Sequence, residues 1–320
     1  MTDVTDRATA TETMTTAGRR NSSGNRRRSA FGGRRRSPWG RQRSSLLSIF
    51  MWISVVYFVV PLLWLVISTT KSNTDLFTTF GLWFGNSLEF FTNVKNLATF
   101  QGGVFWQWMA NTFLYAIVSA VGASLLATAC GYALAKYRFR GSSAVFAVIL
   151  GSIMVPLTAL ALPTYLVFAA GNLTDTPWAI ILPSLVSPFG VYLMRVYAAD
   201  SVDDSLLEAA RIDGSGEIRT FATISMRLMA PGFVTVLLFQ LVSTWNNYFL
   251  PLIMLNTPSL YPVTVGLAQW QANASAGGGA QVLFSTVLTG AFVSVIPLIV
   301  AFLFLQRFWV SGLSTGGVKG

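Results

Sequence analysis

A chain of 320 residues that is 53% hydrophobic and only 11% charged lies far from soluble globular domains, in which about a quarter of residues are charged, and a soluble enzyme is excluded. With no His and a single Cys, the chain also excludes a disulfide framework, a Cys/His zinc site and histidine acid-base chemistry. The formal charge of +10 is concentrated rather than spread: residues 1–45 hold eleven Arg against three acidic residues, and the rest of the chain holds eleven Lys or Arg against nine.

Residues 1–45 are rich in Ser, Thr and Gly as well as Arg, and carry too few apolar residues to bury a core. A disordered, Arg-rich cytoplasmic tail is expected. Its expected role is to anchor topology and touch anionic lipid, with contact to a soluble partner or nucleic acid and a targeting segment as the alternatives.

Six apolar runs follow, at 46–68, 110–135, 144–168, 178–197, 233–255 and 283–305. Each is near the ~20 residues that a helix needs to cross the hydrocarbon core. Asp, Glu and Lys are absent from all six, and Arg195 lies close enough to the end of the fourth to snorkel. Cys130, inside the second run, reads as a small packing residue. The fold class is therefore all-α: a polytopic membrane protein with six transmembrane helices.

Cations set the orientation, because cytoplasmic loops carry the positive excess. The Arg-rich tail precedes the first run. Lys136, Arg138 and Arg140 follow the second; Arg211, Arg219 and Arg227 separate the fourth from the fifth; Arg307 and Lys319 follow the sixth. Both termini are expected in the cytoplasm. The stretches 172–177 and 256–281 carry no cation, and the long stretch 70–107 balances Lys71 and Lys95 with Asp75 and Glu89. Its Trp83, Phe84, Phe90, Phe91, Phe105 and Trp106 suit a membrane interface.

The inner loop 201–231 alone reads like soluble protein. Ser201, with Asp204 three residues on, predicts a capping box that opens a helix through Leu206, Leu207, Ala209, Ala210 and Ile212. Asp213-Gly214 stops it, and Ser215 is expected to cap a second helix through Phe221, Ile224 and Leu228 to Pro231. The product is a helix-turn-helix knob with Ala209 and Ala210 on an approachable face beside Glu208.

Glu208-Ala209-Ala210, three residues, Gly214, nine residues and then Ile224 resembles the EAA coupling loop of ABC importer permeases. Residues 208–215 are similar to that loop in the carbohydrate importers, and the end of the chain from Gln306 resembles that of the maltose-type inner permease subunit. Trp245-Asn246-Asn247-Tyr248, leading to Pro251, and residues 261–267 are also family-like, so the resemblance spans 46–320, including the loop 201–231 and a cytoplasmic tail 306–320. One departure is visible: the family often places Leu-Pro after the Ile, where this chain has Met226-Arg227 and delays its proline to Pro231.

The resemblance implies a permease subunit that couples ATP hydrolysis by a partner ATPase to alternating access for a sugar or oligosaccharide. It implies a second homologous permease subunit, two cytoplasmic ATPase subunits, an extracytoplasmic sugar-binding protein and a bacterial plasma membrane. Glu208, Ala209, Ala210, Asp213 and Gly214 would couple to the ATPase, and Gly316, Gly317 and Lys319 in the tail would reach toward it. The chain has no phosphate-loop frame before any of its four lysines, so it is expected to bind no cofactor of its own, with ATP and Mg²⁺ used by the partner. For a neutral sugar, hydrogen-bonding and aromatic side chains in the runs are the pathway candidates: Asn111, Thr112, Tyr115, Gln240, Trp245, Asn246, Asn247 and Tyr248. Interhelical hydrogen bonding is the competing role for each. A proton- or sodium-coupled transporter would need membrane-embedded Asp, Glu or His, and a membrane enzyme would need zinc, paired-carboxylate or Gly-x-Ser-x-Gly chemistry; the runs contain none of these.

Overall fold

The computed structural model describes residues 45–276 and 284–315, with side chains from Leu46 and as far as Gln306. The expectations for the tail 1–44 and for Gly316, Gly317 and Lys319 lie outside these residues. The chain divides into two units, Met1–Ile53 and Ser54–Gly320. In its described part the first contributes only the opening turns of helix α1, Ser45–Thr69. The second holds everything that follows.

Every element among the described residues is helical. After α1 come α2 (Phe90–Thr99), α3 (Val104–Lys136), α4 (Ser142–Ile153), α5 (Ala161–Ala170), α6 (Trp178–Ser184) and α7 (Pro188–Ser201). Next are α8 (Asp204–Ile212), α9 (Glu217–Leu228, with a π turn at Phe221–Ser225), α10 (Ala230–Trp245), α11 (Phe249–Met254), α12 (Val263–Ser275) and α13 (Phe284–Thr315). Among the described residues four helical stretches are long and apolar enough to cross a membrane: Leu46–Thr69, Phe90–Lys136, Trp178–Ser201 and Phe284–Gln306. A fifth exists if α9 and α10, bent by 79° about Met229, form one span.

The broken runs have a common cause. A proline lacks the N–H that would bond the carbonyl four residues back, so each one inside an apolar run leaves an oxygen needing another donor. Pro188 leaves the Ser184 carbonyl, and Gln240 Nε2 fills it at 2.8 Å. Pro251 leaves the Asn247 carbonyl, and Thr264 Oγ1 fills it at 2.8 Å. The fourth run is thus α6 plus α7, and the fifth is α10 plus α11. The third run departs furthest from expectation: around Pro156 the chain leaves the helix and turns through residues 154–160, so α4 and α5 are each too short to cross alone.

Helix α3 is the hub, about 50 Å long at 1.5 Å per residue. It packs along α7 and α10, and α10 packs on α13. Gly131 permits the α3–α7 approach, since a Cβ there would lie 2.6 Å from the Arg195 amide nitrogen. Two apolar clusters use opposite ends of α3. One gathers Phe105, Trp108, Tyr115, Trp245 and Trp270, and the other Ala127, Tyr132, Met194, Val202, Leu207 and Met229. The outward faces of α1, α4 and α5 remain apolar and exposed, as lipid contact or a partner helix requires.

The segment 70–107 is more ordered than an interfacial loop. Lys71 is buried and donates from Nζ to Thr79 Oγ1 (3.0 Å) and the Phe80 carbonyl (2.8 Å), and Asn93 Nδ2 donates to the Thr69 and Lys71 carbonyls, both at 2.9 Å. Of the aromatic residues expected at an interface, Trp83, Phe84, Phe91 and Trp106 are exposed and Phe90 half-buried, whereas Phe105 is a core residue.

Candidate functional site

The segment between α7 and α10 forms two helices that meet at a tight turn. Helix α7 continues through Ser201, whose hydroxyl donates to the Tyr197 carbonyl at 2.6 Å. The expected Ser201 capping box therefore does not form: Val202, buried in the cluster with Ala198, prolongs the packing of α7, and α8 starts from Asp203. Ser215 likewise is not the cap of the second helix; Gly216 is, and Ser215 Oγ accepts from Thr220 Oγ1 at 2.9 Å. The fifth run begins at Ala230 rather than at Phe233, with Pro231 in the first turn of α10, where a missing N–H costs nothing.

Gly214 ends α8 in the left-handed region, at φ +78°. The Ser215 amide donates to the Ala210 carbonyl (2.9 Å) and the Gly214 amide to the Arg211 carbonyl (3.0 Å), the paired bonds of a Schellman turn. Leu207 and Ala210, three residues apart, face the protein and are buried. The expected Ala-Ala face is therefore split: Ala210 packs inward, while Glu208, Ala209, Asp213 and Gly214 are exposed. The Glu208 side chain makes no hydrogen bond or ion pair with any described residue.

Two bulky residues flank the turn in full solvent contact, Ile212 at 86% exposure and Ile218 at 85%. Residue type alone did not single them out as surface groups. The available signal was helical spacing: Ile212 is five positions from Leu207, about 140° away from the buried face.

Charged contacts hold the knob to the end of α3. Lys136 Nζ meets Asp204 Oδ1 at 2.9 Å, Tyr137 donates its hydroxyl hydrogen to Glu217 Oε2 at 2.6 Å, and Arg211 Nε meets Glu217 Oε1 at 2.8 Å. Lys136 holds the Asp204 carboxyl below its usual range, and Arg211, followed by Tyr137, does the same for Glu217. Burial, and then the Glu217 carboxylate, push the Tyr137 phenol up.

At the other end of α3, residues 108, 111, 112 and 115 form one helical stripe that grips the turn before α12. Trp108 Nε1 donates to the Pro258 carbonyl (2.9 Å), Asn111 Nδ2 to those of Ser259 (2.7 Å) and Tyr261 (3.0 Å), and Tyr115 OH to that of Leu260 (2.9 Å); Thr112 Oγ1 accepts from the Val263 amide (2.8 Å). Asn111, Thr112 and Tyr115 are thus occupied with backbone, as is Gln240 on Ser184. Trp245 is buried edge-on to Phe113 at 5.0 Å. Asn246 and Tyr248 are exposed and Asn247 half-buried. Nearby in sequence, Phe249 and Ile253 of α11 line a cavity of about 380 Å³ with Thr158, Ala161, Leu162 and Tyr165.

Asp175 pins two turns at this same end. Its carboxylate accepts from the Asn256 amide (2.8 Å), the Thr257 amide (2.9 Å) and the Thr257 hydroxyl (2.6 Å). The Thr257 bonds hold its carboxyl below the usual range. No group of three or more His, Cys, Asp or Glu suited to a metal ion occurs among the described residues.

Comparison with known proteins gives a consistent answer. Residues 123–313 match the family described as the binding-protein-dependent transport system inner membrane component. The chain is 32% identical to the arabinooligosaccharides transport system permease protein AraQ of Halalkalibacterium halodurans, over 82% of this chain and 91% of that one. It is 31% identical to AraQ of Bacillus subtilis, over 87% and 96%, and 29% identical to the lactose transport system permease protein LacG of Rhizobium radiobacter, over 86% and 94%. In fold it is similar to a chain of a bacterial ABC transporter involved in the import of the acidic polysaccharide alginate, with a TM-score of 0.72 at 21% identity, covering 85% of this chain and all of that one.

Proposed function

The chain belongs to the family of binding-protein-dependent transport system inner membrane components, and on that premise we propose that it is the transmembrane permease subunit of an ABC importer for a sugar or oligosaccharide. The observation that carries the coupling role is the knob between α7 and α10: a turn fixed by Gly214, presenting Glu208, Ala209, Ile212 and Ile218 outward with no described partner. Apolar side chains of that size beside an unpaired carboxylate suit a cleft in a cytoplasmic ATPase, two copies of which would serve a pair of permease subunits. ATP and Mg²⁺ belong to that partner. A second homologous permease would cover the exposed faces, and an extracytoplasmic binding protein would deliver the sugar.

Six spans with both termini cytoplasmic remain the proposed topology, with α4–α5 as the third, broken span. The Lys136–Asp204 pair supports it by joining two segments that cation distribution puts inside, and the Asp175–Thr257 bonds do so by joining two that it puts outside. ATP-driven closure would pull the knob and swing α3 and the helices packed on it between inward and outward access. For the pathway, the groups left free for sugar are Tyr248, the Oδ1 of Asn246, whose Nδ2 donates to the Val242 carbonyl at 3.0 Å, and the cavity faced by Tyr165 and Phe249, since Asn111, Tyr115 and Gln240 are engaged in holding the bundle.

The test is copurification of the assembled complex followed by uptake of labelled mono- and oligosaccharides in vesicles. ATP-dependent accumulation of one sugar class supports the proposal. A complex that forms and hydrolyses ATP but accumulates no sugar refutes the substrate class, and a chain that never recruits an ATPase refutes the importer.

A further inference from the structure

We propose that Tyr137, through Glu217 and Arg211, latches the knob to helix α3, making these three the positioning residues that turn knob movement into bundle movement. The inference rests on the ATPase-coupling reading of the knob and adds the residues that transmit the pull. A knob joined to the membrane part only through the chain at Val202 and Met229 could pivot, because α9 and α10 already meet at 79°. Its tether to α3 comes from side chains: Lys136 on Asp204 at the start of α8, and, at the turn itself, the carboxylate of Glu217. Tyr137, the first residue beyond α3, is extended (φ −109°, ψ 132°) and carries its hydroxyl to Glu217 Oε2. The other oxygen of that carboxylate takes Arg211 Nε from the last turn of α8. One carboxylate therefore joins the end of α3, the end of α8 and the start of α9.

The surroundings favour a mechanical role over a folding one. Leu207, Val202 and Met229 bury the inner face of the knob without the polar groups. The Arg211 and Glu217 side chains are each 48% exposed, and pairs that exposed contribute little to stability. They do contribute connection, since the carboxylate bridges its two partners with one charge-assisted hydrogen bond from each oxygen, and moving either partner strains its bond. The Tyr137 ring is held edge-on to Tyr132 at 5.9 Å, and Tyr132 packs on Phe221 of α9 at 5.0 Å, so a pull on α9 meets aromatic contacts and a hydrogen bond at the same point. The low-lying Glu217 carboxyl keeps the latch ionised at neutral pH.

Tyr137→Phe deletes one hydroxyl and keeps the ring packing, and it leaves Glu208 and the isoleucines untouched. In the assembled complex it should retain ATPase copurification and hydrolysis while lowering sugar imported per ATP by about twofold to tenfold, the factor expected for one lost solvent-exposed hydrogen bond. Arg211→Glu and Glu217→Arg should each lower the ratio, and the two together, which restore the ion pair but not the Tyr137 bond to a carboxylate, should recover it only in part. A purely structural role would reduce the amount of folded subunit but leave sugar per ATP unchanged, overturning the proposal. Amide hydrogen exchange on the wild-type and Tyr137→Phe complexes decides the latch even if no sugar is imported. Faster exchange over 204–220 with α3 unchanged supports it, and identical exchange overturns it, whereas absence of uptake by the wild type counts against the importer reading alone.

Discussion

Reversing the charge at Glu208 separates docking from folding, because the side chain lies midway along α8, is exposed, and makes no bond within the described residues. In Glu208→Arg the new cation would stand four residues after Asp204 and three before Arg211, one favourable and one unfavourable helix neighbour. The net effect on the fold is a few tenths of a kcal/mol. At a partly desolvated contact with a cation in an ATPase cleft, the same reversal replaces attraction by repulsion and costs about 2–5 kcal/mol. At about 1.4 kcal/mol per decade, occupancy of the coupled complex falls by about 30-fold to several thousand-fold. The assay measures copurified ATPase and sugar-dependent phosphate release on one preparation, beside the melting temperature of the permease. An unchanged melt with both other values lost is the expected result. Unchanged values for all three would remove Glu208 from the mechanism and refute the argument from its exposure.

Other consequences can be checked separately. A Cβ added at Gly214 has nothing within 4 Å, so the main cost of Gly214→Val is the left-handed backbone, about 1–2 kcal/mol; uptake should fall with insertion normal, while Gly214→Asn should be tolerated, and equal uptake by both variants would discard the turn as a requirement. Reporter fusions after Lys136, after Met229 and at the C-terminus should read cytoplasmic and those near Asn86 and Ser275 external; a cytoplasmic signal at Ser275 breaks the six-span topology. Because the folded Asp175 carboxyl lies below its unfolded value of about 3.9, its stabilising bonds are complete above that value and are lost as pH falls through the lower folded one. Proteolytic protection of 256–262 should therefore be flat from pH 8 to pH 5 and drop only in strong acid, whereas Asp175→Asn should be susceptible throughout; a loss near pH 6 would show that another group holds the turn.

Features that depend on local chemistry were legible in the residues alone. The apolar runs, the cation bias and the Asp213-Gly214 stop are properties of a residue and its near neighbours, and α8 ends where glycine permits a positive φ. Where each polar group makes its hydrogen bonds follows instead from packing between distant segments. Asn111, Tyr115 and Gln240 have the chemistry of sugar ligands, yet their acceptors lie 148–150, 145 and 56 residues away, separations that no local pattern encodes. Ala209 and Ala210 are identical in sequence, and only the packing of Leu207 into the Tyr132–Met194 cluster turns one outward and the other in. Prolines were visible from the start, but which of them interrupt a helix was not: the breaks before Pro188 and Pro251 are where a donor from another helix takes the freed carbonyl, Gln240 for Ser184 and Thr264 for Asn247, whereas the helices run on through Pro61 and Pro297. In hydrocarbon no water can take that place, so the partner helix determines the backbone.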